Sequence, residues 1–338
     1  MKSSKVLVMV CLLVLAVAVS STGFAKEKTL QLRLAWSVAL QEDHPYTVAA
    51  QNFKKTMEKR TNGAVEVTLY PGGQLGGDAD IFQALQFGNI DVAVLSTPVI
   101  ASTTKVLAGV DMPYIFNNDY DLLYKVCSGA PGKKLLKRLE EEVPSVKALC
   151  FLYQPFRHIY SKKEIKSIDD LKGLKFRCMQ SPIHIDIFKA LGATPTPIPY
   201  TEVYTAMQSG TIDAFESDVI GGYTSKFHEV AKYLTISGHF NNGIVMMMSA
   251  KTWNKLSASQ RKAAQAASLN AAKGSFETTV ATNDKYMKLT GKYLKINKID
   301  LAPFVAAEKP IIEKYSQQIP EIKEFVKAVQ AMKKNSKK

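Results

Sequence analysis

Apolar and polar residues alternate over Leu30-Gln31-Leu32-Arg33-Leu34-Ala35-Trp36, the period-two signature of a β-strand. A helical stretch follows from Pro45 to Thr61, closed by the turn pair Asn62-Gly63. Val65, Val67 and Leu69 restore the strand period until Pro71-Gly72-Gly73 breaks it. Strand, helix and strand in succession predict an α/β fold with a mostly parallel sheet covered by helices.

The pattern then repeats itself. Residues 80–91 read Asp-Ile-Phe-Gln-Ala-Leu-Gln-Phe-Gly-Asn-Ile-Asp, and residues 202–213 read Glu-Val-Tyr-Thr-Ala-Met-Gln-Ser-Gly-Thr-Ile-Asp. Each is an amphipathic helix ended by glycine, where a helix C-terminus favours φ > 0, and each leads into a strand. Two copies this far apart predict two lobes of similar build; chance recurrence of a common helix–glycine–strand unit is the alternative. Ser257-Ala258-Ser259-Gln260 forms a capping box. From there to Lys292 the chain holds no proline, which predicts either one helix of roughly 50 Å running along both lobes or two helices broken near Gly274. A closing helix is expected from Glu308 to Met332, interrupted at Pro320.

The N-terminus obeys a different pattern. Lys2 and Lys5 precede an unbroken apolar run, Val6 to Val19, and small residues stand at Gly23 and Ala25. This is the three-part arrangement of a secretory signal peptide over residues 1–25. The run falls short of the ~20 residues that span a bilayer, which argues against a retained anchor. The mature chain is therefore expected outside the cytoplasm. It keeps Cys127, Cys150 and Cys178, an odd count that leaves at least one thiol free and fits no metal spacing. The formal net charge is +14. The lysines are scattered and no basic helix is present, so the charge reads as a solvated surface that attracts anionic solutes rather than as a nucleic-acid site. The Lys333–Lys338 tail adds charge alone.

Catalytic signatures are missing: no nucleophile elbow, zinc-protease helix, phosphate loop, dinucleotide fingerprint or Cys-x-x-Cys is present. Neither a metal nor a cofactor is expected. Two arginines stand out by position. Arg157 opens a strand-like stretch after a loop, and Arg177 ends the short strand Leu174-Lys175-Phe176-Arg177. A guanidinium at a strand end facing a cleft is a planar fork matched to a carboxylate; a surface salt bridge is the other reading.

Several spaced motifs resemble those of the substrate-binding proteins of TRAP (tripartite ATP-independent periplasmic) transporters, the DctP family. They are Leu174–Arg177, Ala190-Leu191-Gly192-Ala193-Thr194-Pro195-Thr196-Pro197, Tyr200–Gly210 and Ile212-Asp213-Ala214-Phe215-Glu216, with Tyr70–Gly76 and Leu85–Asp91 upstream. They fall in the family's order over nearly the whole mature chain. The resemblance implies a two-lobed periplasmic binding protein fold with a long helix spanning both lobes. It places lobe I at residues 26–154 plus 243–282, lobe II at 155–242 plus 283–310, and a C-terminal helix and basic tail at 311–338. It implies a small organic acid as ligand and the TRAP membrane permease as partner. Arg177 matches the family's principal carboxylate-binding arginine, Arg157 its second arginine and Tyr200 an aromatic wall. Ser217 stands where the family has asparagine, and Phe215 and Asp218 are expected to shape a different pocket. Trp36, Ser37, Asp78, Ser96 and Thr97 match ligand-side positions of the other lobe, and His239 a cleft-side position near the hinge. The carboxylates Glu216, Asp218 and Asp78 add acceptors suited to a ligand with hydroxyls or an amine. Two other outputs stay open: a receptor serving a sensor kinase or an ATP-driven importer, and a periplasmic lyase or isomerase using Glu216 or Asp213.

Overall fold

The computed structural model describes residues 29–335. The leader expected over residues 1–25 and the end of the basic tail lie outside the described residues. Two sheets organise the chain. The first is ordered β2-β1-β3-β10-β4, formed by β1 (Leu30–Ala35), β2 (Val65–Tyr70), β3 (Val92–Ser96), β4 (Val146–Leu152) and β10 (Ile244–Ser249). The second is ordered β11-β9-β5-β8-β6-β7, formed by β5 (His158–Ser161), β6 (Lys175–Cys178), β7 (Thr194–Pro197), β8 (Ala214–Ser217), β9 (Tyr233–Ile236) and β11 (Lys295–Lys298).

The internal repeat has a structural counterpart. β2-β1-β3 in one sheet and β7-β6-β8 in the other share the same order and are parallel throughout. The repeated helices are Asp78–Phe87 and Val203–Ser209, and their closing glycines, Gly88 and Gly210, adopt φ of 79° and 78°. Beside each unit lies a strand running the other way, β10 next to β3 and β5 next to β8. Each sheet is therefore mostly parallel, as expected, with a single reversed strand. The reversed strands are those reached by crossing from one lobe to the other.

The crossing segments run side by side. Residues 153–157 lead from β4 to β5, and residues 237–243 return from β9 to β10. Arg157 N–H donates to Phe240 O at 3.0 Å, Asn241 Nδ2 to Gln154 O at 2.9 Å and Gln154 Nε2 to Asn242 O at 3.0 Å. A third connection is the helix Ala258–Thr290, unbroken at Gly274. Gly274 stands where this helix crosses the helix Pro45–Arg60, and a Cβ there would lie 2.1 Å from Asn52 Nδ2. Close approach explains a glycine that costs helix propensity of about 1 kcal/mol relative to alanine. Ser275 Oγ accepts from Tyr153 N–H and Thr279 Oγ1 donates to Tyr153 O, both at 3.1 Å, so the helix satisfies a backbone unit of the crossing segment. Further on, Tyr286 packs in the apolar core of the second lobe.

The closing helix is interrupted at Pro320 as expected but starts earlier. It begins at Ala302 and holds Pro310 inside it, and Ile319 separates it from a second helix, Pro320–Asn335. The first packs on the helix Pro182–Ala190 of the second lobe, where Tyr315 and Lys314 reach Asp186. The second returns to the first lobe against the turn Val106–Asp111. Cys127, Cys150 and Cys178 are buried free thiols.

Candidate functional site

A narrow cleft with a cavity volume of about 30 Å³, partly open to solvent, lies between the sheets. The second lobe contributes its arginines. Arg177 sits near the carboxyl end of β6, paired in register with Thr196 and Phe215; the neighbouring Phe176 and Cys178 pack into the core. Arg157 immediately precedes β5. Between β5 and β6 lies β8, so Glu216 on β8 stands between the two guanidinium groups. Glu216 Oε2 accepts from Arg157 Nε, and Oε1 accepts from Arg177 Nη1 at 3.3 Å. Arg157 Nη2 also donates to Glu216 O at 2.8 Å, while its Nη1 lies 3.5 Å from Asp218 Oδ2. Ile198 O orients Arg177 through Nε at 3.0 Å. Among the described residues Arg177 Nη2 has no hydrogen-bond partner.

The two guanidinium groups are held by two carboxylates. Glu216 is fully buried and is shared by two buried arginines. Asp218 is partly committed elsewhere, since its Oδ1 accepts from Ile220 N–H at 3.0 Å and Gly221 N–H at 2.8 Å, capping the helix Val219–Thr224. Burial lowers the Arg177 pKa, the Glu216 charge opposes it, and Arg157 lowers it further. For Arg157 burial acts in the same sense, but Glu216 and Asp218 overcome it and its pKa ends above the ordinary value. Arg177 shares its one carboxylate with Arg157, so its free edge can still donate to an incoming carboxylate.

The first lobe faces these arginines with acceptors. Asp78 opens the helix Asp78–Phe87 after the Gly76-Gly77 turn, and its Oδ1 is buried without a hydrogen-bond partner. Burial raises its pKa, against the nearby Ser37 and Ser96 groups and the Arg177 charge. Asn242 Nδ2 donates to Ser96 Oγ at 3.2 Å, leaving Asn242 Oδ1 without a partner. His44 adds a donor. It caps the helix Pro45–Arg60 by accepting Tyr46 N–H on Nδ1 at 3.1 Å. The imidazole is neutral, its pKa lowered by burial to about 4, so the proton sits on Nε2, which has no partner.

Ser37, Asp78, Ser96, Arg157, Arg177, Tyr200 and Asp218 all line the cleft. Glu216 lies beneath it, holding the arginines. Four expected ligand-side residues do other work. Phe215 points to the opposite face of β8 from Glu216 and packs between Tyr160 and Phe227 in the core. Trp36 is fully buried in the first lobe's core. Thr97 Oγ1 lies 2.7 Å from Asp111 Oδ1, and its N–H donates to Gly243 O at 2.8 Å, so Thr97 braces the returning segment. Asp111 also accepts Gly243 N–H at 2.9 Å, and burial pushes its pKa up to about 8. His239 lies inside that segment, bonded to Ser237 Oγ at 2.6 Å and packed on Phe240. Ser217 is also off the lining; its hydroxyl is buried without a partner. His44, Tyr46, Gln154, Gln180 and Asn242, which also line the cleft, were not legible in the sequence.

The lobes meet over the cleft. A Cβ at Gly73, which has φ of 71°, would lie 3.0 Å from Thr201 Cγ2 across the gap. Asp43 Oδ1 also accepts from Tyr286 Oη at 2.5 Å and Asp43 Oδ2 pairs with Lys285 at 2.5 Å, tying the segment before the helix Pro45–Arg60 to the helix Ala258–Thr290.

Known proteins share this fold. The model of bacterial extracellular solute-binding proteins, family 7 (DctP), matches residues 36–318. The C4-dicarboxylate-binding periplasmic protein DctP of Rhodobacter capsulatus is 34% identical over 232 residues, covering 68% of each chain. A crystal structure of a TRAP periplasmic solute-binding protein from Haemophilus influenzae with bound L-gulonate superposes with a TM-score of 0.84 at 26% identity, covering 90% of this chain and 99% of the other. The sugar acid binding protein DctPAm of Advenella mimigardefordensis, in complex with galactonate, superposes with a TM-score of 0.84 at 27% identity over the same shares of 90% and 99%.

Proposed function

The chain belongs to the bacterial extracellular solute-binding proteins of family 7, and from that premise we propose that it is a TRAP receptor whose ligand is a hydroxylated monocarboxylate of the sugar-acid class. The observation that carries this reading is the polarity of the cleft. One wall presents guanidinium groups; the other presents Asp78 Oδ1 and Asn242 Oδ1, acceptors without donors. A carboxylate meets the first wall, and hydroxyl groups donate to the second. A second carboxylate at the ligand's far end would bring no donor to these acceptors, which ranks sugar acids such as gulonate or galactonate above C4-dicarboxylates. His44 Nε2–H supplies a donor for a hydroxyl oxygen.

In this reading the ligand enters an open form and the lobes close over it by bending at residues 153–157 and 237–243. The closed form is the one a TRAP permease would take up. Export through a cleavable leader over residues 1–25 completes the proposal, with binding and release rather than turnover as the activity.

A thermal-shift series over sugar acids, hydroxy acids and C4-dicarboxylates, followed by mass spectrometry of co-purified ligand, tests it. Sugar acids should give the largest stabilisation. Stabilisation by succinate and malate alone, or by neutral sugars equally, would overturn the assignment.

A further inference from the structure

His44 and Asp218 line the interlobe cleft from opposite lobes. His44 stands before the helix Pro45–Arg60 of the first lobe, and Asp218 follows β8 in the second. Each commits one atom to a helix terminus: His44 Nδ1 accepts Tyr46 N–H at 3.1 Å, and Asp218 Oδ1 accepts Ile220 N–H and Gly221 N–H. That leaves His44 Nε2–H, buried without a partner, and Asp218 Oδ2, which lies 3.5 Å from Arg157 Nη1. An asparagine or serine caps a helix at least as well as a histidine does, without burying a second polar nitrogen, so capping does not account for the imidazole.

The two groups are near each other without touching. Nε2 has no partner, so it does not bond to Asp218, yet the Asp218 charge is felt at the imidazole, where it opposes the burial that lowers the His44 pKa to about 4. The gap between them suits an atom that accepts from an N–H on one side and donates to a carboxylate on the other. A hydroxyl does both; an ammonium only donates, a keto oxygen only accepts, and a methylene does neither. Asp218 Oδ2 also lies beside Arg157, which puts this gap at the arginine end of the cleft, next to where a ligand carboxylate is held.

We propose that His44 and Asp218 form a specificity pair that reads the hydroxyl on the carbon next to the ligand's carboxylate, so that the cleft selects 2-hydroxy acids over 2-amino, 2-keto and 2-deoxy acids. The inference rests on the sugar-acid reading of the cleft and narrows it. Because its two partners belong to different lobes, this hydroxyl bridges them and contributes only when the cleft is shut, which ties its recognition to closure.

Titration calorimetry with gluconate and galactonate, each beside its 2-deoxy and 2-amino-2-deoxy counterparts, tests the pair. The parent acid that binds should do so at least about tenfold more tightly than either counterpart, because a missing or mismatched group leaves buried polar atoms unpaired. His44→Asn keeps a helix cap and removes the Nε2 donor, and Asp218→Asn keeps its cap and removes the charged acceptor. Each should abolish that margin, chiefly by weakening the parent acid. A merely structural role would weaken parent and counterparts alike and leave the margin intact. Equal affinity of the wild type for parent and counterparts, or a margin unchanged in either variant, would overturn the pair while leaving the sugar-acid reading in place. Failure of every sugar acid to bind would instead remove that reading, and this inference with it.

Discussion

Glu216 Oε1 lies 3.3 Å from Arg177 Nη1, a contact that ties up one edge of the guanidinium and leaves Nη2 without a protein partner. The same carboxylate holds Arg157 through its other oxygen. One buried anion thus fixes two cations in place, Asp218 lies against the second of them, and the unused edge of Arg177 is what a ligand carboxylate can meet.

Removing the shared anion exposes the cost of that arrangement. Glu216→Gln should destabilise the unliganded protein by about 3–5 kcal/mol, because both arginines stay buried without their carboxylate. Its thermal stabilisation by a bound sugar acid should exceed that of the wild type, since the ligand then supplies the missing charge. Differential scanning calorimetry with and without ligand measures both; an unliganded Tm equal to wild type would show that Glu216 does not hold the pair.

Asp78 sets specificity on the opposite wall. Asp78→Asn keeps the shape but exchanges an acceptor for a donor. Affinity for a sugar acid should fall about tenfold, while that for succinate should not fall. Parallel titrations with both acids decide it, and an equal loss for both would assign Asp78 a structural role.

Buried histidines tie stability to pH. His184 packs on Phe240 with neither ring nitrogen bonded, and burial lowers its pKa from 6.5 to about 3. A depressed folded pKa means that the unfolded chain binds more protons below pH 6.5, so the contribution is complete above that pH and is lost as pH falls toward 3. His184→Phe should flatten the fall in stability across that window by up to about 1.4 kcal/mol per pH unit. Urea unfolding at pH 7, 6, 5 and 4 reads the slope; parallel slopes for the two proteins would exclude the effect.

Much of this architecture was visible in the residues. Gly88 and Gly210 mark helix ends that need a left-handed backbone, and the segments around them proved to be the same unit in two sheets. Strand direction was not visible: Met246, Met247 and Met248 in β10, or Ile159 and Tyr160 in β5, form short buried runs that carry no sign of which way they pair. The arginines drew notice as strand-end residues, but position alone left a surface salt bridge open; the motif resemblance singled them out, and both are buried on the cleft wall. Phe215 was misplaced because its neighbour Glu216 was read as facing the cleft too; adjacent residues on a strand face opposite sides, so both cannot meet the arginines. His44 and Asn242 reach the cleft from a helix cap and a crossing segment, where no periodic pattern announces a side chain's direction.

The account rests on a carboxylate meeting Arg177. Calorimetric titration of wild type and Arg177→Ala with a stabilising sugar acid and with its uncharged amide tests this most directly. The wild type should bind the acid and reject the amide, and the variant should lose at least about tenfold of its affinity for the acid, with an unchanged fold by circular dichroism. Equal binding of acid and amide by the wild type, or undiminished binding of the acid by Arg177→Ala, would contradict it.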